Sequence, residues 1–265
     1  MLFRSLAGFV AGLEAGDTVE VAFDREGSRM SAPVAIVPQP ALPPASVPPR
    51  EGDPEGVVVE KLSAAEIARP AWVVLPPAEP AVPLGVLVYC GPPGAGGTKA
   101  ADADAAARRA AERWKGAAAR YGVAIVLPVS ADAERWGKED IPILARSLDG
   151  LRLRRPIDPS RVALAGTGPE GAFAWLAAET LGPAVRGVAL LDATLPRQAS
   201  VPQTEPGSSR AVLFGSLPGA AVTRVDADIR RLEAAGYPVG ILPELVGDGL
   251  PVETLCSWVE ALGVL

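Results

Sequence analysis

From Val57 to Leu265 the chain alternates short, continuously apolar runs with longer amphipathic or alanine-rich stretches. The runs are VVVEKL, AWVVLPP, GVLVYC, VAIVLPVS, RVALAG, GVALLD, AVLFGS and VGILPEL. The stretches between them have helical character at Ala100–Tyr121, Ile141–Leu151, from Ala172, over Val222–Ala235 and at the C-terminus. A strand that is apolar at every position must be covered on both faces, so this alternation predicts an α/β fold with a mostly parallel, doubly wound sheet. Crossovers in such a sheet are right-handed, and ligand sites lie at the carboxyl ends of its strands.

Two other parts precede this domain. Leu2, Phe3, Leu6, Phe9, Val10 and Leu13 recur at helical spacing, and Gly16-Asp17 ends that helix. TVEVAF then alternates as a strand, Asp24-Arg25-Glu26-Gly27 turns the chain, and MSAPVAIV returns as a second strand. The segment 1–38 resembles the C-terminal half of a PDZ domain, with its "GD-x-V-x-V-x-x-x-R-x-G" pattern standing here as Gly16-Asp17-Thr18-Val19-Glu20-Val21, Arg25 and Gly27. The resemblance implies a protein or peptide partner and a further half-domain upstream of Met1, in a PDZ-containing protease or adaptor. The proline-loaded segment 39–56 reads as an extended spacer, which leaves 57–265 as the large domain.

Composition narrows the chemistry. The chain has no histidine, the usual base near neutral pH and the commonest metal ligand. Ser-His-Asp and Cys-His catalysis and ordinary zinc sites are therefore unavailable within it, and no metal or cofactor is expected. A net charge of −6 without a basic stripe argues against nucleic acid. No apolar run is long enough to span a bilayer, and no secretory signal is visible. The expected location is cytoplasmic as the chain stands, or exported if a longer N-terminal part exists. Cys90 and Cys256 are read as buried free thiols.

The stretch IDPSRVALAGTGPEGAFAWLAA runs from strand through a glycine turn into a helix. It resembles the nucleophile elbow of α/β-hydrolases of the dienelactone-hydrolase and prolyl-oligopeptidase kind, whose pattern is D-P-x-R-[IV]-x-L-x-G-x-S-x-G-G. Asp158-Pro159, Arg161, Val162, Leu164, Gly166 and Gly171 set the register. The nucleophile position then falls on Gly168, and Glu170 takes a glycine position. The same resemblance puts Pro218 near the acid position, Asp248 at the histidine position and Gly91 near the histidine of the oxyanion loop. It implies an α/β-hydrolase fold without its catalytic triad, serving as a scaffold or interaction module.

Three residues could still react. Thr167 carries a hydroxyl one place off register, Cys90 ends a central strand, and Asp192 could pair with Asp248. They sustain an alternative, a weak or unconventional ester or peptide hydrolase. A second alternative is a degenerate P-loop, since GVLVYCGPPGAGGTKAA places Gly91, Gly96 and Thr98 in the Walker pattern, with Gly97 at the lysine position and Lys99 two residues late.

Overall fold

A computed structural model describes residues 17–25, 28–35, 54–62, 71–77, 82–91, 100–132, 134–204, 210–215, 222–242 and 250–264. The expected helix over Leu2–Leu13 and most of the proline-rich segment lie outside them. Within that segment, Pro54–Gly56 form a single 3-10 turn.

The expected hairpin is present. Strands β1 (Thr18–Arg25) and β2 (Ser28–Ala35) pair antiparallel as a separate two-stranded sheet. The remaining strands, β3 (Val58–Leu62), β4 (Ala71–Leu75), β5 (Leu84–Cys90), β6 (Val123–Pro128), β7 (Ile157–Thr167), β8 (Gly187–Leu191), β9 (Ala211–Gly215) and β10 (Val239–Ile241), form one eight-stranded sheet. Their order across it is β10-β9-β8-β7-β5-β6-β4-β3. All neighbours from β10 to β6 are parallel, whereas β4 runs antiparallel to both β3 and β6.

Every residue of β5, β6, β8 and β9 is buried, as their unbroken apolar runs demand. The pleat divides them between two cores. Leu84, Val86, Val88 and Cys90 of β5 enter one cluster, and Leu87 and Tyr89 enter the other. The first core is closed by helices α2 (Ile141–Arg152), α3 (Pro169–Leu181) and α4 (Val222–Ala234). The second is closed by α1 (Ala100–Tyr121) and α5 (Val252–Ala261), through the fully buried Trp114 and Trp258.

Several boundaries differ from the sequence expectation; β1 continues to Arg25, two residues into the expected turn, and β2 starts at Ser28 rather than Met30. Helix α3 starts at Pro169 rather than Ala172, because proline at the first helical position has a fitting φ and lacks only an N–H that the helix would leave unused. Strand β7 begins at Ile157, where Leu84 pairs with it, rather than at Arg161. Of the run VGILPEL, Val239–Ile241 form β10, and Pro243–Leu245 lie outside the described residues.

The order of the strands locates a site without reference to any motif. From β5 the chain steps through α1 to β6 on one side, then crosses back through α2 to β7 on the other side of β5. The helices that follow β5 and β7 therefore leave toward opposite faces. Such a reversal opens a crevice at the carboxyl ends of the two strands. Cys90-Gly91 and Thr167-Gly168 flank it.

Candidate functional site

The turn at the end of β7 is an elbow in its backbone. Gly168 holds φ 62° and ψ −128°, a region that residues with a Cβ avoid. Its N–H donates to the Leu191 carbonyl on β8 at 2.8 Å, and its own carbonyl accepts from Gly171 N–H at 3.0 Å. Helix α3 starts at once.

Close approach of strand and helix depends on two other glycines. A Cβ on Gly166 would lie 2.3 Å from both the carbonyl carbon and the oxygen of Glu170. One on Gly171 would lie 2.5 Å from the Ala193 Cβ. At Gly168 an added Cβ meets nothing within 4 Å. The apex thus points a missing side chain into open space, at the position the family resemblance reserves for a nucleophile.

Pro169 is a feature that the sequence reading passed over. In the elbow of the fold it resembles, the N–H after the nucleophile is one donor of the oxyanion hole. Proline has no N–H. The signal was legible in G-T-G-P, because the register that assigns Gly168 also assigns Pro169.

The side chains around the apex form a buried, polar but weakly reactive group. The Tyr89 hydroxyl and Thr167 Oγ1 are hydrogen-bonded at 3.2 Å. Burial raises the Tyr89 phenol above its ordinary range, and the bond to Thr167 only partly offsets this. Cys90 is fully buried; desolvation, then the carboxylates of Glu170 and Asp140, drive its thiol far up. A thiol so held is neither ionised nor accessible, so the structure speaks against Cys90 as a nucleophile. Cys256 is likewise buried and free.

Gly91 follows β5, and its carbonyl accepts a hydrogen bond from Trp136 Nε1 at 2.8 Å. Trp136 stacks on Phe173 of α3 with ring centroids 5.1 Å apart. The loop bearing Trp136 is held by buried Asp140, which accepts from the N–H groups of Ala131 (2.7 Å) and Gly137 (2.8 Å). These contacts tie the ends of β5, β6 and α3 together beside the apex.

Asp192 follows β8 with φ 45°, a left-handed conformation that aspartate tolerates, and it is exposed. Asp248, Pro218, Gly96, Gly97, Thr98 and Lys99 lie outside the described residues. Among the described residues no three acidic or cysteine side chains gather as a metal-binding group, and no helix is long and apolar enough to cross a membrane.

Glu170 occupies the second position of α3 and is only 9% exposed. Desolvation raises its carboxyl above the usual range, and its own backbone N–H partly counters this. A carboxyl with a raised folded-state pKa contributes most to stability below its unfolded pKa, and the contribution is lost as pH rises through the folded value. Glu170→Gln is therefore expected to gain stability relative to the parent as pH rises from 4 to 7 (urea midpoints at the two pH values measure this). An equal difference at both would refute the assigned burial.

Comparison with known proteins agrees with the topology. No protein-family model matches the chain, and no curated protein matches it. Solved structures do. An esterase from Pyrobaculum calidifontis is 12% identical, with a TM-score of 0.57 over 81% of this chain and 88% of that one. The S-formylglutathione hydrolase FrmB of Staphylococcus aureus is 15% identical, with a TM-score of 0.53 over 77% of this chain and 98% of that one. The esterase LipW of Mycobacterium marinum is 19% identical, with a TM-score of 0.52 over 79% and 82%.

Proposed function

From the α/β-hydrolase fold that this chain has, we propose that the large domain has given up hydrolysis and serves as a scaffold or protein-interaction module. The observation that carries the reading is the apex Gly168-Pro169, which offers neither a nucleophile nor the oxyanion N–H that should follow it. The absence of histidine from the whole sequence removes the third requirement, the general base. Three separate elements of one mechanism are thus missing, while the packing glycines at 166 and 171 keep the elbow's shape.

The PDZ-like segment supports a protein or peptide partner and a place in a PDZ-containing protease or adaptor. Fold alone licenses architecture rather than activity, so the site must decide. The rival hydrolase reading rests on Thr167, whose hydroxyl is hydrogen-bonded to a tyrosine whose proton is held on; among the described residues no base is hydrogen-bonded to it. The nucleotide-binding reading would be supported by a shift in melting temperature with millimolar Mg-ATP.

The test is hydrolysis of p-nitrophenyl acetate and butyrate by the parent, Gly168→Ser and Thr167→Ala. No turnover above buffer is expected from any of the three. Serine at 168 restores a hydroxyl but neither its base nor the missing N–H. Turnover by the parent that Thr167→Ala abolishes would overturn the proposal in favour of the hydrolase.

A further inference from the structure

The crevice between β5 and β7 holds a negative charge that its surroundings leave unbalanced. Glu170 is buried at the start of α3, and among the described residues its carboxyl is met only by its own backbone N–H. Its charge acts on Tyr89 and Cys90, the last two residues of β5, so the carboxyl lies over the crevice rather than out in water. No cation among the described residues acts on Glu170 or on Cys90. Arg113 of α1 acts on Tyr89, but less strongly than Glu170 does. A buried carboxylate without a counter-ion is costly, and a cation that can reach it relieves that cost.

The N–H donors that would favour an anion here are missing or taken. Gly168 N–H goes to the Leu191 carbonyl, Pro169 has no N–H, Glu170 N–H turns to its own carboxyl, and Gly171 N–H goes to the Gly168 carbonyl. Acceptors are present instead. Tyr89 and Thr167 share one proton in their 3.2 Å bond, which leaves lone pairs on both oxygens. Nothing lies within 4 Å of where a Cβ on Gly168 would stand, so there is room beside them. Trp136, partly exposed and stacked on Phe173, supplies an aromatic wall.

We propose that this crevice binds a small organic ammonium ion, held by Glu170 and the Tyr89–Thr167 hydroxyls and flanked by Trp136. An ammonium group donates to a carboxylate and to hydroxyl oxygens, and its charge is attracted to an indole face. A turn that stabilises negative charge in the fold it resembles here stabilises positive charge. The inference goes beyond the scaffold reading, and the two fail separately: ester turnover would sink that reading and leave ammonium affinity untouched.

Calorimetric titration of the full chain with benzylammonium at neutral pH tests it, with benzyl alcohol and benzoate as the neutral and anionic counterparts. The cation is expected to bind at least about tenfold more tightly than either. Glu170→Gln keeps the shape and removes the charge, and is expected to weaken the cation by about tenfold or more. Tyr89→Phe removes one acceptor and keeps the ring, and is expected to weaken it by a smaller factor. No binding of the cation overturns the proposal, as does benzoate binding equally well. Unchanged affinity in either variant overturns it too, including the case in which Asp192→Asn weakens binding instead and places the cation at the exposed carboxylate after β8.

Discussion

Arg161→Ala is expected to lower the free energy of unfolding by about 3–5 kcal/mol, because it takes the guanidinium away from an enclosed carboxylate, Glu260, and from Asp158. The Arg161 guanidinium is almost wholly enclosed and serves three acceptors. Its Nε donates to Asp158 at 2.9 Å, one terminal nitrogen donates to Glu260 of α5, and the other donates to the Pro83 carbonyl just before β5. The Glu260 side chain is only 7% exposed. The residue therefore ties the start of β7 to the entry of β5 and to the last helix. Arg161→Lys keeps the charge but not the fork, and should lose a smaller but clear part of that stability. In the background of Glu260→Gln the alanine substitution should cost less, since the enclosed charge that Arg161 meets is then already gone. Urea denaturation of the four proteins measures this. A loss under about 1 kcal/mol for Arg161→Ala would mean that the cluster is solvated like an ordinary surface pair.

The same cluster has an acid signature. Partial burial pushes the Asp158 carboxyl up, but hydrogen bonds from Ser160 and Arg161 outweigh it and hold the group below the usual range. A lowered pKa contributes stability above the unfolded value and loses it as pH falls through the folded value. The penalty of Arg161→Ala should accordingly shrink on acidification.

Gly166→Ala is expected to cost about 3 kcal/mol, near the top of the range for overpacking. Its Cβ would meet backbone atoms of Glu170 at 2.3 Å and the Gly171 nitrogen at 2.6 Å, none of which can rotate away. Helix α3 would have to lift from β7, and buried Trp175 would move with it. The comparison is Gly168→Ala, two residues on. There the space is open and only the backbone conformation, φ 62° with ψ −128°, opposes the methyl group, for about 1–3 kcal/mol. Thermal unfolding with tryptophan fluorescence ranks the two. If Gly168→Ala proves the more costly, close packing does not explain why glycine stands at 166.

Much of the fold was legible along the chain because each element carries its own signal. β5, β6, β8 and β9 are buried on both faces, and only an unbroken apolar run survives there. The alanine-rich α1 matches its expected bounds because period and propensity agree over a long stretch. The expected start of α3, Ala172, fell three residues late, because the glycine turn was taken to reach that far while Pro169 already fits the first helical position. The vacant apex was legible too, since one residue type at one register position decides it, and Pro169 could have been read from the same register.

Reactivity was not legible in that way. That Cys90 ends a strand could be read from its neighbours; that its thiol is held protonated depends first on its burial in the assembled core and then on the carboxylates of Glu170 and Asp140, far along the chain. Tyr89 meets Thr167 only because β5 and β7 are paired in register. Arg161 finds Glu260 only because α5 packs on the same end of the sheet. Sequence order alone thus specified which segments are strands and helices, that this chain supplies no histidine, and that the elbow has no side chain at its apex, because each of these is a local property of residue type and period. Which polar groups are sealed from water, which meet, and that the central crevice lies between Gly91 and Gly168 were decided by the strand order, because solvation and contact belong to the assembled sheet and its two helical layers.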